Sequence, residues 1–550
     1  MSDPEIHLLA DFDHDGQLPG GPRPLAAESS RGSDAFAVVP LLPAAHWGVG
    51  CSCAGFDVAG VANAVSPAPV RVLLKGISAD GFELVVRVEG EPSSAIVLFQ
   101  RTGDGWTSLG TEGTWSIRIT RETHGAEVQL DLGLVATVDR VAAAQAEKWN
   151  RHFLLTVSLS SADQPLISAD SAPFIIAPFL LASAVDPVEE VLVISNGLSS
   201  RFVSALAEIV HKTGAQLRAI DYDEVPNDLW VQDTVEIGRV VVPSSAGPQQ
   251  VVAILGGLRA DHEDVRTQPL DTFMRNYFSE MKAVVIQPGE ARANTRWIDW
   301  YGNLEVSPPV TDQQGREYPF GRILTGAQQG LSIHPQVLAF LEAQGLQWPP
   351  LVVDTSWLSI GHVDEVVNFV PTMDRPGFRV LFPSPSLARC ILENLAGDGL
   401  ADATVFAGKS AETTVDRLLE TVAVSEENRC IEARLDETRA CLAEGLGIDD
   451  GCFIEVPVLF ERGLPVIPNM VNGLVCNRHV IAPDPAGPRI DGKDAFANPV
   501  AKALAALGLE AHFIDAWQPY HVRAGEVHCG TNTIRLVQGP LWWEVGQREP

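Results

Sequence analysis

The chain has 550 residues, of which 46% are hydrophobic, so it is long enough for roughly two to four globular domains. Its 70 acidic and 39 basic residues give a net charge of −31, which argues against nucleic acid as a partner because phosphate binding needs a basic surface. Eight cysteines are too few for a disulfide scaffold. No signal-peptide pattern or bilayer-length apolar run occurs, so we predict a cytoplasmic protein without a membrane partner.

The amino-terminal part of the chain favours an all-β domain. Short runs of alternating or β-branched residues recur with turn residues between them, a spacing typical of a β-sandwich. The alanine-rich stretch Val141–Trp149 is compatible with at least one helical turn. The predicted strands are Val70–Leu74, Phe82–Val88, Ala95–Gln100, Trp115–Thr120, Ala126–Leu132 and Phe153–Leu159.

The pattern changes near Pro178–Val188, after which apolar strands alternate with amphipathic helices, as in α/β or α+β proteins. The predicted strands are Glu190–Ile194, Gln216–Asp221, Val251–Leu255, Ala283–Gln287, Leu351–Asp354, Phe378–Phe382 and Ala511–Ile514. The predicted helices are Ser199–Thr213, Val415–Val422, Asn428–Glu444 and Asn498–Ala506. We expect the third helix to stop at Gly445.

Two short strings carry residues suited to nucleophilic chemistry. Cys529 lies among glycines, where substrate could reach a thiolate, although a structural cysteine is the more common outcome. His362 and Asp364 are two residues apart and would face the same way in an extended strand. A histidine beside a carboxylate is a poised acid/base, and the open alternative is a satisfied core histidine.

Two further segments are rich in oxygen ligands. If the segment after Trp230 leaves its turn as a strand, Gln232 and Glu236 share one face and Asp233 points the other way; the alternative is an exposed polar loop. The segment ending in Glu305 contains Gly-Asn, which predicts a tight turn. Its carbonyls and carboxylate could serve a hard cation, and the alternative is a turn capped by a charge.

Taken together, these segments resemble the catalytic domain of the protein-arginine deiminases. Long matches that occur in the same order are far more specific than any one motif. The resemblance runs from about Val191 to Val545. It is dense in Trp230–Gly238, Tyr301–Thr311, Asp354–Phe369, Pro468–Leu474 and His521–Asn532.

The resemblance implies hydrolysis of an arginine guanidinium to citrulline and ammonia, with Cys529 as nucleophile and His362 as acid/base. Asp233 and Asp364 fall on the carboxylates that hold the guanidinium, a planar cation that carboxylates can clamp bidentately. The residues that the resemblance places against substrate are Trp230, at the substrate's methylene stem, and Arg523, near the mouth of the pocket.

The implied fold is α+β: an immunoglobulin-like β-sandwich over residues 1–180, then a pentein domain, a five-bladed α/β propeller, over 181–550. The sandwich corresponds to the family's middle domain, and no stretch remains for its further amino-terminal domain. Asp11, Asp13 and Asp15 form an Asp-x-Asp-x-Asp-Gly pattern, which predicts a calcium-binding turn; a solvated acidic turn is the alternative. Pro22 at the twelfth position argues against a full EF-hand.

The resemblance also implies calcium in the catalytic domain. The implied ligands are Gln232, Glu236, Glu305 and the carbonyls of Tyr301 and Leu304. The second calcium site of the family falls on Thr234 and Gly256–Ala260, which lack the needed oxygens. Asp261 stands where the family has an arginine that touches the substrate backbone, and we predict that Arg259 takes its place.

The leading hypothesis is therefore a calcium-dependent enzyme that acts on arginine in proteins or peptides. A deiminase of free arginine or another small guanidine would share the chemistry. The rival from another class is an inactive calcium-dependent binding module. The sequence gives no oligomeric state.

Overall fold

The computed structural model describes residues 4–15, 17–19, 37–42, 67–75, 81–90, 95–102, 105–110, 113–119, 127–137, 151–224, 228–259, 268–281, 283–289 and 297–545. The predicted helical turn at Val141–Trp149 and the position of Asp261 lie outside these residues.

The amino-terminal part consists of strands. They are β1 (Glu5–Ala10), β2 (Ala37–Val39), β3 (Leu41–Leu42), β4 (Ala68–Lys75), β5 (Phe82–Glu89), β6 (Ile96–Thr102), β7 (Gly105–Gly110), β8 (Thr114–Ile119), β9 (Glu127–Thr137), β10 (His152–Ser161) and β11 (Ser168–Ile176). All six predicted strands are confirmed, with ends that differ by a few residues.

These strands form two sheets that share one core. One sheet has the order β1-β4-β9-β6-β7, with β3 beside β9, and the other has the order β2-β11-β10-β5-β8. Buried and more exposed residues alternate along β4 and β5, as expected for strands with one face toward a core. Val72 from the first sheet and Val86 from the second are fully buried in the same cluster.

The rest of the chain is mixed α/β. Its first strands are β12 (Phe179–Leu181), β13 (Val188–Ser195), β14 (Gln216–Asp221), β15 (Val235–Val242), β16 (Gln249–Gly256), β17 (Val284–Ile286), β18 (Glu305–Val306), β19 (Val310–Thr311), β20 (Glu317–Tyr318), β21 (Ile323–Ala327), β22 (Leu351–Asp354) and β23 (Asn368–Pro371). They are followed by β24 (Phe378–Ser384), β25 (Thr404–Val405), β26 (Thr413–Thr414), β27 (Phe453–Pro457), β28 (Phe460–Glu461), β29 (Leu464–Pro465), β30 (Leu474–Cys476), β31 (His479–Pro483), β32 (Arg489–Ile490), β33 (Lys493–Asp494), β34 (Glu510–Ile514) and β35 (Thr531–Arg535).

The helices are α1 (Ser200–Thr213), α2 (Val231–Thr234), α3 (Gln268–Glu280), α4 (Pro335–Gln344), α5 (Pro385–Gly397), α6 (Val415–Leu418), α7 (Glu426–Leu446) and α8 (Ala497–Ala506). Short 3-10 turns occur at Trp297–Asp299, Tyr301–Asn303, Val363–Glu365, Asp450–Cys452 and His521–Arg523, and a π-helical turn at Leu419–Ala423 follows α6.

Five sheets in this part of the described chain repeat one arrangement, in which a central strand pairs antiparallel on one side and parallel on the other. Their orders are β12-β15-β16-β17, β14-β13-β35, β18-β21-β22, β23-β24-β27 and β30-β31-β34. The β13 sheet joins distant parts of the chain, because β35 comes from the carboxy-terminal end.

The two parts are packed together. The core cluster of the two amino-terminal sheets continues into Val240 of β15 and Phe340 of α4. The buried Arg151 guanidinium donates hydrogen bonds to the carbonyls of Ala343 and Gln344 at the end of α4. The predicted domain boundary after residue 180 falls inside β12, whose partner is β15.

Helix α7 corrects one predicted end. It continues through Gly445 and ends before Gly447, which adopts a left-handed φ of 63° and donates its N–H to the carbonyls of Ala443 and Glu444. Gly445 is instead a packing glycine, because a Cβ there would lie 2.6 Å from the Leu351 side chain. The helix therefore ends two residues later than predicted, and Gly445 is explained by packing rather than by helix termination.

Within the ranges that the structure describes, no helix combines the length and the apolar character needed to cross a membrane.

Candidate active site

Three of the four predicted catalytic residues line a cavity of about 470 Å³. Asp233, His362 and Cys529 line it, although more than 100 residues separate each from the next along the chain. Other lining residues are Asp228, Trp230, Trp297, Trp300, Glu365, Asn469, Asn472, Arg523, Gly525 and Glu526.

Two segments reach the cavity in helical rather than extended form, which corrects the predicted strands. Gln232 and Asp233 belong to the helical turn α2, and β15 begins only at Val235. His362 precedes the 3-10 turn Val363–Glu365, and the Glu365 carboxylate accepts a hydrogen bond from the His362 N–H at 3.0 Å. This capping contact satisfies an amide that no helical bond can satisfy.

The Cys529 thiol is buried among oxygen atoms. Its Sγ lies 3.3 Å from Asn472 Oδ1 and 3.7 Å from Asp364 Oδ2, and the Cys529 N–H donates to the same Asn472 oxygen at 3.2 Å. Burial, followed by the charges of Asp364 and Asp233, raises the pKa of Cys529 well above its usual value. A cation between the carboxylates would oppose both charge effects.

His362 has one ring nitrogen engaged and one available. Its Nε2 lies 2.7 Å from the carbonyl oxygen of Trp297, which can only accept, so Nε2 carries the proton. Nδ1 lies 3.5 Å from Asp233 Oδ1 and has no hydrogen-bond partner among the described residues. In the neutral ring, Nδ1 is therefore a buried proton acceptor at the cavity.

The two aspartates have capacity for a donor-rich cation. Asp233 accepts a hydrogen bond from the Gly302 N–H at 3.2 Å, and burial, partly offset by His362 and reinforced by Asp364, raises its pKa to about 6. Asp364 Oδ2 lies 2.9 Å from His528 Nδ1. Its Oδ1 is buried without a partner in the part of the chain that the structure describes. Such a carboxylate favours a ligand that brings hydrogen-bond donors and positive charge.

Gly302 allows His362 and Asp233 to approach each other. A Cβ at this position would lie 2.4 Å from His362 Nδ1 and 2.7 Å from Asp233 Oδ1, closer than side chains tolerate. The predicted turn at Gly302 is confirmed as the 3-10 turn Tyr301–Asn303, and its close approach to the site is a feature that the sequence did not reveal.

Two of the three predicted substrate contacts are at the cavity. Trp230 and Arg523 line the cavity, and the Trp230 ring packs against Tyr520 with centroids 5.7 Å apart. A Cβ on Gly525 would lie 2.4 Å from the Trp230 ring, so this glycine makes room for the aromatic wall. The Arg523 guanidinium donates to the carbonyl of Gln518.

Arg259 does not reach the cavity in this structure, contrary to the sequence prediction. Its side chain is fully buried, and its guanidinium donates to Asp271 at 2.6 Å and to Asp228 at 3.1 Å. The same guanidinium lies 4.9 Å from the Trp300 ring centroid. Because Asp228 and Trp300 line the cavity, Arg259 supports its wall from behind.

Four of the five predicted calcium ligands of the catalytic domain interact with one another. Gln232 Nε2 lies 2.7 Å from Glu236 Oε2 and 3.4 Å from the Tyr301 carbonyl. Burial and the Glu305 charge raise the pKa of Glu236 well above its usual value. Burial, partly offset by His528, raises the pKa of Glu305 to about 7. Two partly buried carboxylates, an amide and a carbonyl are a donor set that fits a hard cation.

The amino-terminal acidic turn is compact. One carboxylate oxygen from each of Asp11, Asp13 and Asp15 lies within 4.8 Å of the others, with Asp11 buried and the other two exposed. The Asp15 N–H donates to Asp11 Oδ1 at 3.1 Å, which folds the turn around this oxygen.

Sequence reasoning assigned no role to two residues that hold the site together. Asn472 orients Cys529, and its only signal was its position in the stretch Pro468–Leu474. His528 lies between Asp364 and Glu305, with Nε2 at 3.4 Å from Glu305 Oε1. Burial alone would lower the pKa of His528, but the charges of Glu305 and Asp364 outweigh it and raise this pKa.

Comparison with known proteins decides the family. The family profile described as Protein-arginine deiminase (PAD) matches residues 166–544. The chain belongs to the protein-arginine deiminase family. It is 33% identical to protein-arginine deiminase type-4 of Mus musculus over 411 residues, which are 71% of this chain and 60% of that protein. It is 33% identical to protein-arginine deiminase type-3 of Homo sapiens over 392 residues, 69% of this chain and 57% of the relative.

The chain thus spans about 60% of the length of the deiminases that it matches. Among solved structures, it is similar to the agmatine deiminase of C. Jejuni, with a TM-score of 0.35, 12% identity, and coverage of 66% of this chain and 96% of that one.

Proposed function

We propose that this member of the family hydrolyses arginine side chains in proteins to citrulline and ammonia. The observation that carries the proposal is the position of the Cys529 sulfur, 3.7 Å from Asp364 Oδ2, in a cavity also lined by His362 and Asp233. A thiol, a histidine with an available nitrogen and two buried carboxylates are what substitution at a guanidinium carbon requires.

The reaction begins when the guanidinium binds between Asp233 and Asp364, which neutralises its charge and presents its central carbon to sulfur. His362 Nδ1 takes the thiol proton, the S–C bond forms, and the histidine returns the proton to the departing nitrogen as the C–N bond breaks and ammonia leaves. His362 then takes a proton from water, whose oxygen adds to the thiouronium carbon. The C–S bond breaks as the hydroxyl proton of this adduct passes to sulfur, which leaves citrulline and restores the thiol, and His362 releases the proton it took from water to the ammonia or to solvent.

In this proposal, Trp230 packs against the substrate's methylene stem and Arg523 contacts the substrate at the mouth of the pocket. Arg259 is a positioning residue rather than a substrate contact, because its buried guanidinium holds Asp228 and packs against Trp300. The substrate class is arginine within a polypeptide, and turnover of free arginine alone is the alternative outcome.

Calcium dependence is part of the proposal. Gln232, Glu236, Glu305 and the carbonyls of Tyr301 and Leu304 would hold one calcium ion, which supplies positive charge to two partly buried carboxylates whose ionisation is otherwise opposed. A second ion would be held at the turn formed by Asp11, Asp13 and Asp15, for which the close carboxylate oxygens are the support.

The proposed architecture follows the family. We assign residues 1–180 to an immunoglobulin-like sandwich, supported by two mainly antiparallel sheets with one core, and residues 181–550 to a five-bladed pentein propeller. The support for five blades is the five sheets with the same strand arrangement.

The test is citrulline release from a blocked arginyl ester and from free L-arginine, each with calcium and with chelator. We expect the ester to be turned over only with calcium, and Cys529→Ala to reduce the rate by at least about 10³-fold, as is typical for loss of a catalytic nucleophile. Unchanged citrulline production by Cys529→Ala would refute the mechanism. Turnover of free arginine alone would refute the polypeptide substrate, and equal rates in chelator would refute calcium dependence.

A further inference from the structure

A cluster of metal-ligating side chains lies outside the cavity, on the sheet formed by β30, β31 and β34. In the parallel pairing of β31 with β34, His479 lies opposite Glu510. Side chains two residues apart on a strand share a face, so His512 lies on the same face as Glu510. The strand register therefore brings His479, Glu510 and His512 together.

The donor atoms of the three side chains are close enough to share one ion. His479 Nδ1 lies 3.0 Å from His512 Nε2. The Glu510 carboxylate oxygens lie 3.8 Å from His479 Nδ1 and 3.5 Å from His512 Nε2. A zinc ion with bonds of about 2.1 Å in tetrahedral geometry separates its ligands by about 3.4 Å. The three observed separations lie near this value.

We propose that His479, Glu510 and His512 form a binding site for a transition-metal dication of the zinc class, with water in the fourth position. Two imidazoles and one carboxylate are a donor set that zinc uses, whereas calcium and magnesium favour sets made of oxygen alone. The inference stands independently of the proposed deiminase activity, since none of the three residues lines the active-site cavity.

The two imidazoles are enclosed, and the carboxylate opens the cluster to solvent. His479 and His512 side chains are only 15% and 11% exposed, whereas Glu510 is 60% exposed and leaves a path to solvent. The positive charge of Lys212 acts electrostatically on the His512 imidazole. Lys212, at the end of α1, would repel a cation bound at this cluster, so replacing it should change the affinity for an ion bound there.

Without a metal, the same contacts are a hydrogen bond between two histidines beside a carboxylate. The two interpretations differ in one measurable property, which is zinc affinity. Calorimetric titration of the full chain with zinc chloride should reveal one site that the double variant H479A/H512A lacks or binds at least tenfold more weakly. The matched control is H7A, because His7 also pairs with a glutamate on a strand, Glu5, at 3.6 Å. We expect H7A to bind zinc as the wild type does.

Two further measurements keep the test independent of other zinc-binding groups, such as exposed thiols. Cobalt should give the visible absorption of a tetrahedral site in the wild type and in H7A, but not in H479A/H512A. Lys212→Gln should bind zinc about threefold more tightly, because it removes one partly screened positive charge. Equal zinc stoichiometry and affinity in the wild type and the double variant would overturn the proposal. Unchanged or weaker binding by Lys212→Gln would place the ion elsewhere.

Discussion

Gly302→Ala is a one-carbon change that tests whether the close approach of His362 and Asp233 matters for catalysis. The Cα of Gly302 faces both side chains, and its N–H holds the Asp233 carboxylate at 3.2 Å. The added Cβ would lie 2.4 Å from His362 Nδ1, against an ordinary contact of 3.4 Å or more. The imidazole or the turn must therefore move by about 1 Å.

A displacement of this size has a predictable cost. A misplacement of about 1 Å in a catalytic group can reduce the rate by about 10²-fold, which corresponds to about 2.7 kcal/mol of transition-state stabilisation. Overpacking of a buried site costs a further 1–3 kcal/mol or so of folding free energy. We expect kcat for citrulline release at saturating calcium to fall by about two orders of magnitude.

The control is Gly397→Ala at the exposed end of α5, where an added Cβ meets no atom within 4 Å. This variant should keep wild-type activity and stability, since alanine is a better helix former than glycine. Thermal unfolding of both variants shows whether lost activity reflects the site or the fold. A folded Gly302→Ala enzyme with kcat within threefold of wild type would refute the geometric reasoning.

Three other changes test the packing and charges described above. Gly445→Ala places a Cβ 2.6 Å from Leu351 and should lower the free energy of unfolding in urea by about 1–3 kcal/mol; an unchanged value would mean that α7 and β22 adjust freely. Arg259→Met leaves buried carboxylates unpaired and should cost about 3–5 kcal/mol in the same assay, and wild-type stability would contradict the described ion pairs. Burial raises the pKa of Asp186 to about 6, so the folded protein holds the carboxyl proton more tightly than the unfolded chain does. The stability that this protonated carboxyl group contributes is lost as pH rises through about 6. Between about pH 4 and pH 8, the wild type should therefore lose up to about 3 kcal/mol of stability relative to Asp186→Asn, and a pH-independent difference would refute this account.

The parts of the fold that follow a regular pattern could be predicted from the sequence. The alternation along β5 and the helical period of α1 each extend over two or more turns or pleats, and α1 ends at Gly214 in the left-handed conformation, with φ at 82°. The turns at Val231–Thr234 and Val363–Glu365 have too few residues for a period, so an extended strand was an equally valid interpretation of both.

The site divides in a similar way. The resemblance predicted which side chains would meet, and the structure brings Cys529, His362, Asp233 and Asp364 together, while their roles remain predictions. The burial of Arg259 could not be predicted, because its partner Asp271 is not part of any motif and becomes a neighbour only through α3. The contact between Asn472 and Cys529 could not be predicted either, because the two residues are more than 50 positions apart in the chain and meet only in the folded structure.

One electrostatic argument connects the proposed substrate and the proposed ion. Around the cavity and the adjoining cation ligands, burial raises the pKa of Asp233, Glu236 and Glu305, and neighbouring carboxylates add to the shift of Cys529. The negative charges of these groups lie close together in a region of low dielectric constant, and too little positive charge is nearby to offset them. A hard cation beside Glu236 and a guanidinium beside Asp233 would each reduce the repulsion among these negative charges, so each should strengthen binding of the other. Calcium should therefore tighten equilibrium binding of the arginyl ester to the Cys529→Ala variant, and the ester should tighten calcium binding to the same variant by the same factor, because binding coupling is reciprocal.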